Sequence, residues 1–185
     1  MTPINPLDDI VVTPDPRLRT ECTPIEVIDD EVRALAERML RDMYAAEGCG
    51  LAAPQVGELR QIVVIDCDYC PDSDPNPYVL INPRVVETSE ELYEFDEGCL
   101  SFPGLTCHIS RPAHVVVEAL NLDGVLMRYE ARSNLMSVCL QHEIDHLHGI
   151  TMMDHLPAAE RMQALREVTE ALAAGARPGD THRPE

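Results

Sequence analysis

With 185 residues, 45% of them hydrophobic, the chain is long enough for one domain with a packed core and too short for two comfortable ones. Its formal net charge of -19, from 33 acidic residues against 14 basic ones, argues against direct readout of nucleic acid and against binding to an anionic membrane. No apolar run approaches the roughly 20 residues of a membrane helix, and the N-terminus "MTPINPLDDI" lacks the pattern of a signal peptide. We therefore expect a cytoplasmic protein with reduced cysteines.

The first predicted element is a helix over residues 30–46, which Asp29 or Asp30 can cap at its N-terminus. Four apolar side chains recur on one face of it, namely Val32, Leu35, Met39 and Met43. The helix stops at the glycines of "EGCGLAAPQVG", and "QIVVIDC" then predicts a buried strand. This order places a glycine-rich loop between the first helix and a core strand.

The next segments predict strands and a hairpin. "YVLINPRVVETS" reads as a second strand, in which Pro83 requires an edge position or a bulge. In "HVVVEALNLDGVLMRYEA", the pair Asp123-Gly124 is a strong hairpin signal between two strand-like runs. Before these segments, Cys67 and Cys70 of "CDYC" have CxxC spacing without a second CxxC, so we do not expect a second metal or redox site there.

Two helices complete the predicted fold. One spans residues 134–148 and ends at Gly149, and the other is amphipathic over residues 158–174. Residues 1–174 are expected to form a single catalytic domain, with residues 175–185 as a disordered tail. The order of helix, strands and hairpin, then helix predicts an α+β fold with mainly antiparallel sheets.

The stretch "VCLQHEIDHLHG" places His142 and His146 four residues apart, on one face of the predicted helix. The apolar stripe that they continue consists of Leu135, Val138 and Cys139. Burying two imidazoles and the Glu143 carboxylate without partners is costly, and a metal ion offsets that cost. With Glu143 the pattern is H-E-x-x-H, in which two metal ligands flank a general base.

A catalytic site of this kind needs a third protein ligand. Upstream, Cys99 in "EGCLS" offers a thiolate beside Gly98, although a cysteine taken alone is more often a small buried hydrophobe. Downstream, three carboxylates remain candidates for a thermolysin-like ligand: Glu160, Glu167 and Glu170. The loop "GCGLAAPQ" can bring backbone close to a ligand and aim an amide N–H at a developing oxyanion. The residues by themselves leave the third ligand open.

Taken together, the three segments closely resemble peptide deformylase. The signature of that family is G-x-G-Φ-A-A-x-Q, then E-G-C-Φ-S, then H-E-x-D-H, where Φ is apolar. The chain has all three in this order, at residues 48–55, 97–101 and 142–146, within a similarity that covers roughly residues 10–160. The resemblance implies a peptide deformylase-like fold, with sheets packed around a central, buried C-terminal helix that carries HExxH.

The resemblance also implies a reaction and a metal. The implied ligands are Cys99, His142 and His146, with Fe²⁺ typical of the family and Zn²⁺, Ni²⁺ or Co²⁺ able to occupy the site. The implied reaction removes the N-terminal formyl group from formyl-methionyl nascent polypeptides and releases formate. In it a metal-bound water attacks while Glu143 acts as general base and acid, and Gln55 with the Leu100 backbone N–H stabilises the oxyanion.

Seven positions match the substrate groove of the family: Cys49, Gly50, Gly98, Phe102, Leu135, Val138 and Cys139. Their largely apolar character suits a methionine side chain, and backbone near Gly50 and Gly98 is expected to pair with the peptide as an added strand. The segment after the cysteine motif departs from the family pattern. There, Thr106 lies near a position at which many members carry Arg, whereas Arg111 matches a later basic position.

The implied partners are N-formyl-methionyl nascent peptides, and a weak ribosome contact through the C-terminal helix is a further hypothesis. Residues 157–185 show no excess of basic residues that would support that contact. Two alternatives remain: a zinc endopeptidase that uses HEIDH with a downstream ligand, and a metal- or peptide-binding protein without turnover. Glu143 and Gln55 argue against the binding protein, because binding alone needs neither a base nor an oxyanion donor.

Overall fold

The computed structural model describes residues 6–69 and 74–180. Over these ranges the chain forms three α-helices: α1 (Asp30–Ala45), α2 (Leu135–Leu147) and α3 (Ala158–Ala173). The same ranges contain seven strands: β1 (Gly50–Ala52), β2 (Ile62–Ile65), β3 (Tyr78–Thr88), β4 (Leu92–Gly98), β5 (Thr106–Pro112), β6 (His114–Leu120) and β7 (Leu126–Arg132). Each helix lies where the sequence predicts it, to within one residue at either end.

The strands form two antiparallel sheets, which confirms the predicted α+β class. The larger sheet has the order β1-β2-β3-β6-β7, and the smaller one pairs β4 with β5. β6 and β7 form the expected hairpin, with Gly124 at a φ of 74° in the turn. Pro83 was expected at an edge or at a bulge, and β3 is not an edge strand because it lies between β2 and β6. The expected bulge is present, since the pairing of β3 with β6 shifts between Ile81 and Arg84.

The larger sheet is covered by a different helix on each face near β2. Side chains alternate along a strand, so Val63 and Ile65 pack with α2 in one apolar cluster. Ile62 and Val64 point the other way and pack with α1 in a second cluster. The helix α2 is thereby enclosed, as expected for a central helix, and its position relative to the sheet is held by dense apolar contact.

A third apolar cluster joins β5 to α3. The predicted tail differs from expectation at its start, because residues 175–180 form turns that contact the body of the protein. In these turns Ala176 is buried, and the Gly104 N–H donates to the Asp180 carbonyl at 2.8 Å. Residues 181–185 lie outside the described ranges, and the assignment of residues 1–174 to a single domain stays a prediction. No helix among the described residues is long and apolar enough to cross a membrane.

Candidate active site and metal centre

The helix α2 presents both histidines of the HEIDH stretch to the same point. Its N-terminus is capped by Asn134, whose side chain accepts from the Ser137 N–H at 2.9 Å, and it ends before Gly149, which has a φ of 67°. Both imidazoles are buried, and their ring centroids lie 5.0 Å apart. One short helix therefore holds two nitrogen ligands at fixed spacing.

Cys99 approaches these histidines from the end of the smaller sheet. It follows the last residue of β4 and lies in a turn, where the Phe102 N–H donates to the Cys99 carbonyl at 2.9 Å. The Cys99 Sγ lies 3.3 Å from Nε2 of His146. One ligand atom from each of Cys99, His142 and His146 lies within 4.8 Å of the others. The structure thus brings together the three residues that the resemblance implies as metal ligands.

A buried ion network orients the His142 ring. The Nδ1 atom of His142 lies 2.8 Å from a Glu97 carboxylate oxygen, which leaves Nε2 to face Cys99. Arg111 donates to the same carboxylate at 2.5 and 3.0 Å, and to Asp145 at 2.8 Å. Burial alone would raise the pKa of Glu97, but the hydrogen bonds from His142 and Arg111 outweigh it and keep that pKa below its usual value. Glu97 is therefore the residue that orients the His142 ring.

The donor set fits a divalent cation. Burial lowers the pKa of His146 well below its usual value, so its imidazole is neutral and able to ligate. Burial also acts to lower the pKa of His142. The neighbouring Cys99 and Glu97 outweigh that effect and raise the pKa well above its usual value, so the surroundings of the His142 ring favour positive charge. A thiol and two buried imidazoles around such a point are the donors of a three-ligand catalytic metal site.

Two polar side chains adjoin these ligands. Burial raises the pKa of Glu143 to about 7, and its Oε2 has no hydrogen-bond partner among the described residues. The Gln55 side chain is fixed because its Oε1 accepts from the Ala52 N–H at 2.8 Å. Its Nε2 therefore points toward Cys99 Sγ at 3.6 Å and Ser101 Oγ at 3.2 Å. The site combines a proton acceptor with an aimed amide donor.

A cavity of about 500 Å³ opens onto Glu143, His142 and Cys99. β1 forms one side and the end of β4 forms another, and α2 provides a wall one turn before the histidines. An apolar cavity with a few converging polar groups is the usual form of a small-ligand site. The cavity can therefore hold a short extended substrate whose reacting bond lies beside Cys99, His142 and Glu143.

A family model described as polypeptide deformylase matches residues 7–162. The peptide deformylase of Mesorhizobium japonicum is 42% identical over 174 residues, which is 94% of this chain and 97% of that protein. The chain belongs to the peptide deformylase family. As a member of this family, it is a metal-dependent hydrolase that removes formyl groups from nascent peptides.

Solved peptide deformylase structures show the same fold. The crystal structure of a peptide deformylase from Legionella pneumophila has a TM-score of 0.81 and 37% identity, and the match covers 90% of this chain and 96% of that one. A peptide deformylase from Synechococcus elongatus, solved in complex with actinonin, has a TM-score of 0.81 and 37% identity, and the match covers 91% of this chain and 89% of that one.

Most positions that the resemblance assigned to the deformylase substrate groove reach the cavity. Those that line it are Cys49, Gly50, Gly98, Leu135, Val138 and Cys139, and Leu100 lines it as well. Phe102 does not, because the turn after Cys99 reverses the chain and buries Phe102 in the apolar cluster with β5 and α3.

Sequence reasoning missed other wall residues, including Tyr69 and Phe95. It also missed the role of Glu97. The sequence did contain a signal for Arg111, the partner of Glu97. Along β5 the inward-facing residues are Cys107, Ile109 and Arg111. The Arg111 side chain is therefore buried, and it needs a buried counter-charge. That pattern identifies Arg111 as one member of a buried pair without naming the other.

Proposed function

We propose that this deformylase hydrolyses the formyl amide of N-formylmethionyl peptides at a site built from Cys99, His142 and His146. The observation that carries the proposal is the convergence of these three donors beside Glu143 at the end of the cavity. The expected alternative ligands, Glu160, Glu167 and Glu170, lie on α3 and do not join this cluster of possible ligands among the described residues. A zinc endopeptidase that relies on them has no support from this geometry.

We assign one divalent cation to the three donors, with Fe²⁺ favoured by the family resemblance. Thiolate and imidazole also suit Zn²⁺, Ni²⁺ and Co²⁺, so the donor set alone does not choose the metal. When bound, such a cation supplies a Lewis acid that brings the pKa of water close to neutrality. Glu97 and Arg111 hold the His142 ring in the orientation that this binding needs.

Glu143 moves the proton in this proposal. A carboxyl group with a pKa near 7 can accept a proton from water and return it to the leaving amine at neutral pH. Its Oε2, which has no hydrogen-bond partner in the part of the chain that the structure describes, leaves one oxygen available for that exchange. General acid–base catalysis of this kind typically contributes about 10²–10⁴ in rate.

Gln55 and Leu100 stabilise the oxyanion. The Ala52 N–H holds the Gln55 amide so that Nε2 faces the ligand cluster without rearrangement. Leu100 follows Cys99 directly, and we assign its backbone N–H as the second donor. A donor fixed before the reaction costs no reorganisation when charge develops on the formyl oxygen.

The peptide is proposed to bind between two strand edges. Among the described strands, β1 and β4 are each paired on one side only, and Gly50 and Gly98 lie where these strands border the cavity. An extended peptide can add to such an edge through main-chain hydrogen bonds. Leu135 and Val138 of α2 then provide an apolar wall for the methionine side chain.

Formate release from formyl-Met-Ala-Ser by the anaerobically purified, metal-loaded protein tests the function. We expect turnover in the wild type, loss by at least about 10²-fold in Glu143→Gln, and retained metal in that variant. The matched control is Glu160→Gln, an exposed glutamate of α3, which should leave activity and metal content unchanged. Cleavage of an internal peptide without formate would favour an endopeptidase, and metal uptake without either product would favour a binding protein.

A ribosome contact through α3 stays a prediction. The helix exposes Met162 and Leu165, but residues 157–185 carry no excess of basic residues that would bind RNA phosphates. Co-sedimentation with ribosomes at low and moderate salt tests it. Pelleting that depends on α3 would support the contact, and no pelleting at low salt would exclude it.

A further inference from the structure

A second group of possible metal ligands lies beside the active site. It consists of the three thiols of Cys49, Cys67 and Cys139, whose sulfur atoms lie within 4.8 Å of one another. We call these residues the thiol cluster. All three line the same cavity as the catalytic groups, yet the cluster shares no residue with the Cys99, His142 and His146 site. The deformylase reaction described above uses none of these sulfurs.

The spacing of the sulfurs matches a single thiophilic ion. The Sγ atoms of Cys49 and Cys139 lie 3.9 Å apart. With a zinc–sulfur distance of about 2.3 Å, two tetrahedral ligands stand roughly 3.8 Å apart. The third sulfur lies within 4.8 Å, so a small rotation about its side-chain bonds brings it to the same distance.

Backbone structure holds the three residues in place. Cys49 directly precedes β1, and Cys67 lies two residues beyond the end of β2, which is the antiparallel partner of β1. The Asp66 N–H donates to the Cys49 carbonyl at 2.9 Å and ties these two segments together. Cys139 projects from α2, which packs on the same strands. Ligands on paired strands and a packed helix need little ordering when an ion binds.

The Glu143 carboxylate lies close enough to the cluster to serve as a fourth ligand. Cys139 Sγ and Glu143 Oε1 both lie against Gly50, since a Cβ built there would be 2.5 Å from the sulfur and 2.6 Å from the oxygen. Hydrogen bonds from the Cys139 and Cys67 thiols lower the pKa of Cys49, whereas the pKa values of Cys67 and Cys139 are raised, so one of the three sulfurs is negative before an ion binds. Three soft donors with a water or carboxylate as the fourth match zinc and its heavier congeners.

We propose that Cys49, Cys67 and Cys139 form a second metal site that binds one thiophilic divalent cation, Zn²⁺ or Cd²⁺, and that occupancy of this site inhibits the enzyme. Each thiol releases its proton to solvent as the ion binds. The ion then lies among the three sulfurs at the wall of the cavity, where Glu143 serves as its fourth ligand and is thereby withdrawn from proton transfer. The inhibition rests on the proposed function, whereas the binding does not.

Titration with Cd²⁺ under reducing, anaerobic conditions tests the binding. We expect two ions per wild-type chain, and the thiolate-to-cadmium ultraviolet absorption of four sulfurs, one from Cys99 and three from the cluster. Cys67→Ala should bind one ion with full affinity and the second at least 100-fold more weakly. Cys67→Ser, which keeps the size of the side chain, is the second variant if the first is poorly folded. The matched control is Cys107→Ala, a buried thiol of β5 outside the cluster, which should bind as the wild type does.

A single bound ion in the wild type, or equal binding of two ions by the wild type and both Cys67 variants, would overturn the proposal. Activity gives the second arm of the test. With Ni²⁺ loaded first at the Cys99, His142 and His146 site, added Cd²⁺ should suppress formate release by the wild type, whereas it should leave the rate of Cys67→Ala at that variant's own starting value. If no form of the protein releases formate, the proposed function fails while the binding stoichiometry still decides the metal site.

Discussion

Replacing Gly50 by alanine tests how closely the peptide-binding edge and the catalytic carboxylate are packed. The new Cβ would lie 2.5 Å from Cys139 Sγ, 2.6 Å from Glu143 Oε1 and 2.9 Å from Glu143 Cγ. Ordinary contact begins near 3.5 Å, so the Glu143 carboxylate must move by about 1 Å. A displacement of that size at a catalytic group costs about 10²-fold in rate, and the overpacking itself costs about 1–3 kcal/mol of stability.

The assay compares kcat, KM, metal content and unfolding temperature of Gly50→Ala with those of Gly48→Ala. A Cβ at Gly48 meets only the end of the Leu100 side chain, at 2.9 Å from Cδ1, which can rotate away. We therefore expect kcat to fall by about 10²-fold in Gly50→Ala and only slightly in Gly48→Ala. A folded Gly50→Ala variant with normal kcat would refute the inferred crowding around Glu143.

Three further predictions concern the ligands and donors. Gln55→Ala should lower kcat by about 10²–10³ with metal retained, because one fixed oxyanion donor is lost, as steady-state kinetics would show. Glu97→Gln should weaken metal binding by about 10–100-fold, because the His142 ring loses its orienting carboxylate and Arg111 loses its buried partner. A chelator competition measures this affinity, and the exposed control Glu94→Gln should bind metal normally in it. Removing the metal with a chelator should lower the unfolding temperature in calorimetry, since an ion at 100 times its Kd contributes about 2.7 kcal/mol. Unchanged kcat, metal affinity or unfolding temperature in these respective cases would contradict the assigned roles.

The local elements of the fold were predictable because their signals are local. The cap at Asp29, the periodic apolar face of α1 and the Asp123-Gly124 turn each lie within a few residues of the structure that they specify. The prediction for Pro83 left an edge position and a bulge both open, because the sequence shows a missing N–H but not which strand lies opposite. The bulge after Ile81 shifts the pairing of β3 with β6 at this point, and β3 remains central.

The candidate site was predictable to the extent that it depends on α2 and on the three motifs. Spacing on a helix is enough to place His142 and His146 together, whereas the residues offered Cys99 only as one candidate for the third ligand and the family resemblance selected it. The contact of Glu97 with Arg111 and His142 joins residues that are 14 and 45 positions apart, and no local pattern encodes such a pairing. The thiol cluster was missed for the same reason, because Cys67 and Cys139 come together only when β2 packs on α2.

Anomalous X-ray diffraction from crystals of the Co²⁺-loaded protein tests the central claim most directly. The claim is that a sulfur from the turn after β4 and two imidazoles from α2 hold one cation next to Glu143. It predicts an anomalous peak bonded to Cys99 Sγ and to one nitrogen each of His142 and His146. A fully loaded, active protein with no peak at these three atoms would contradict it.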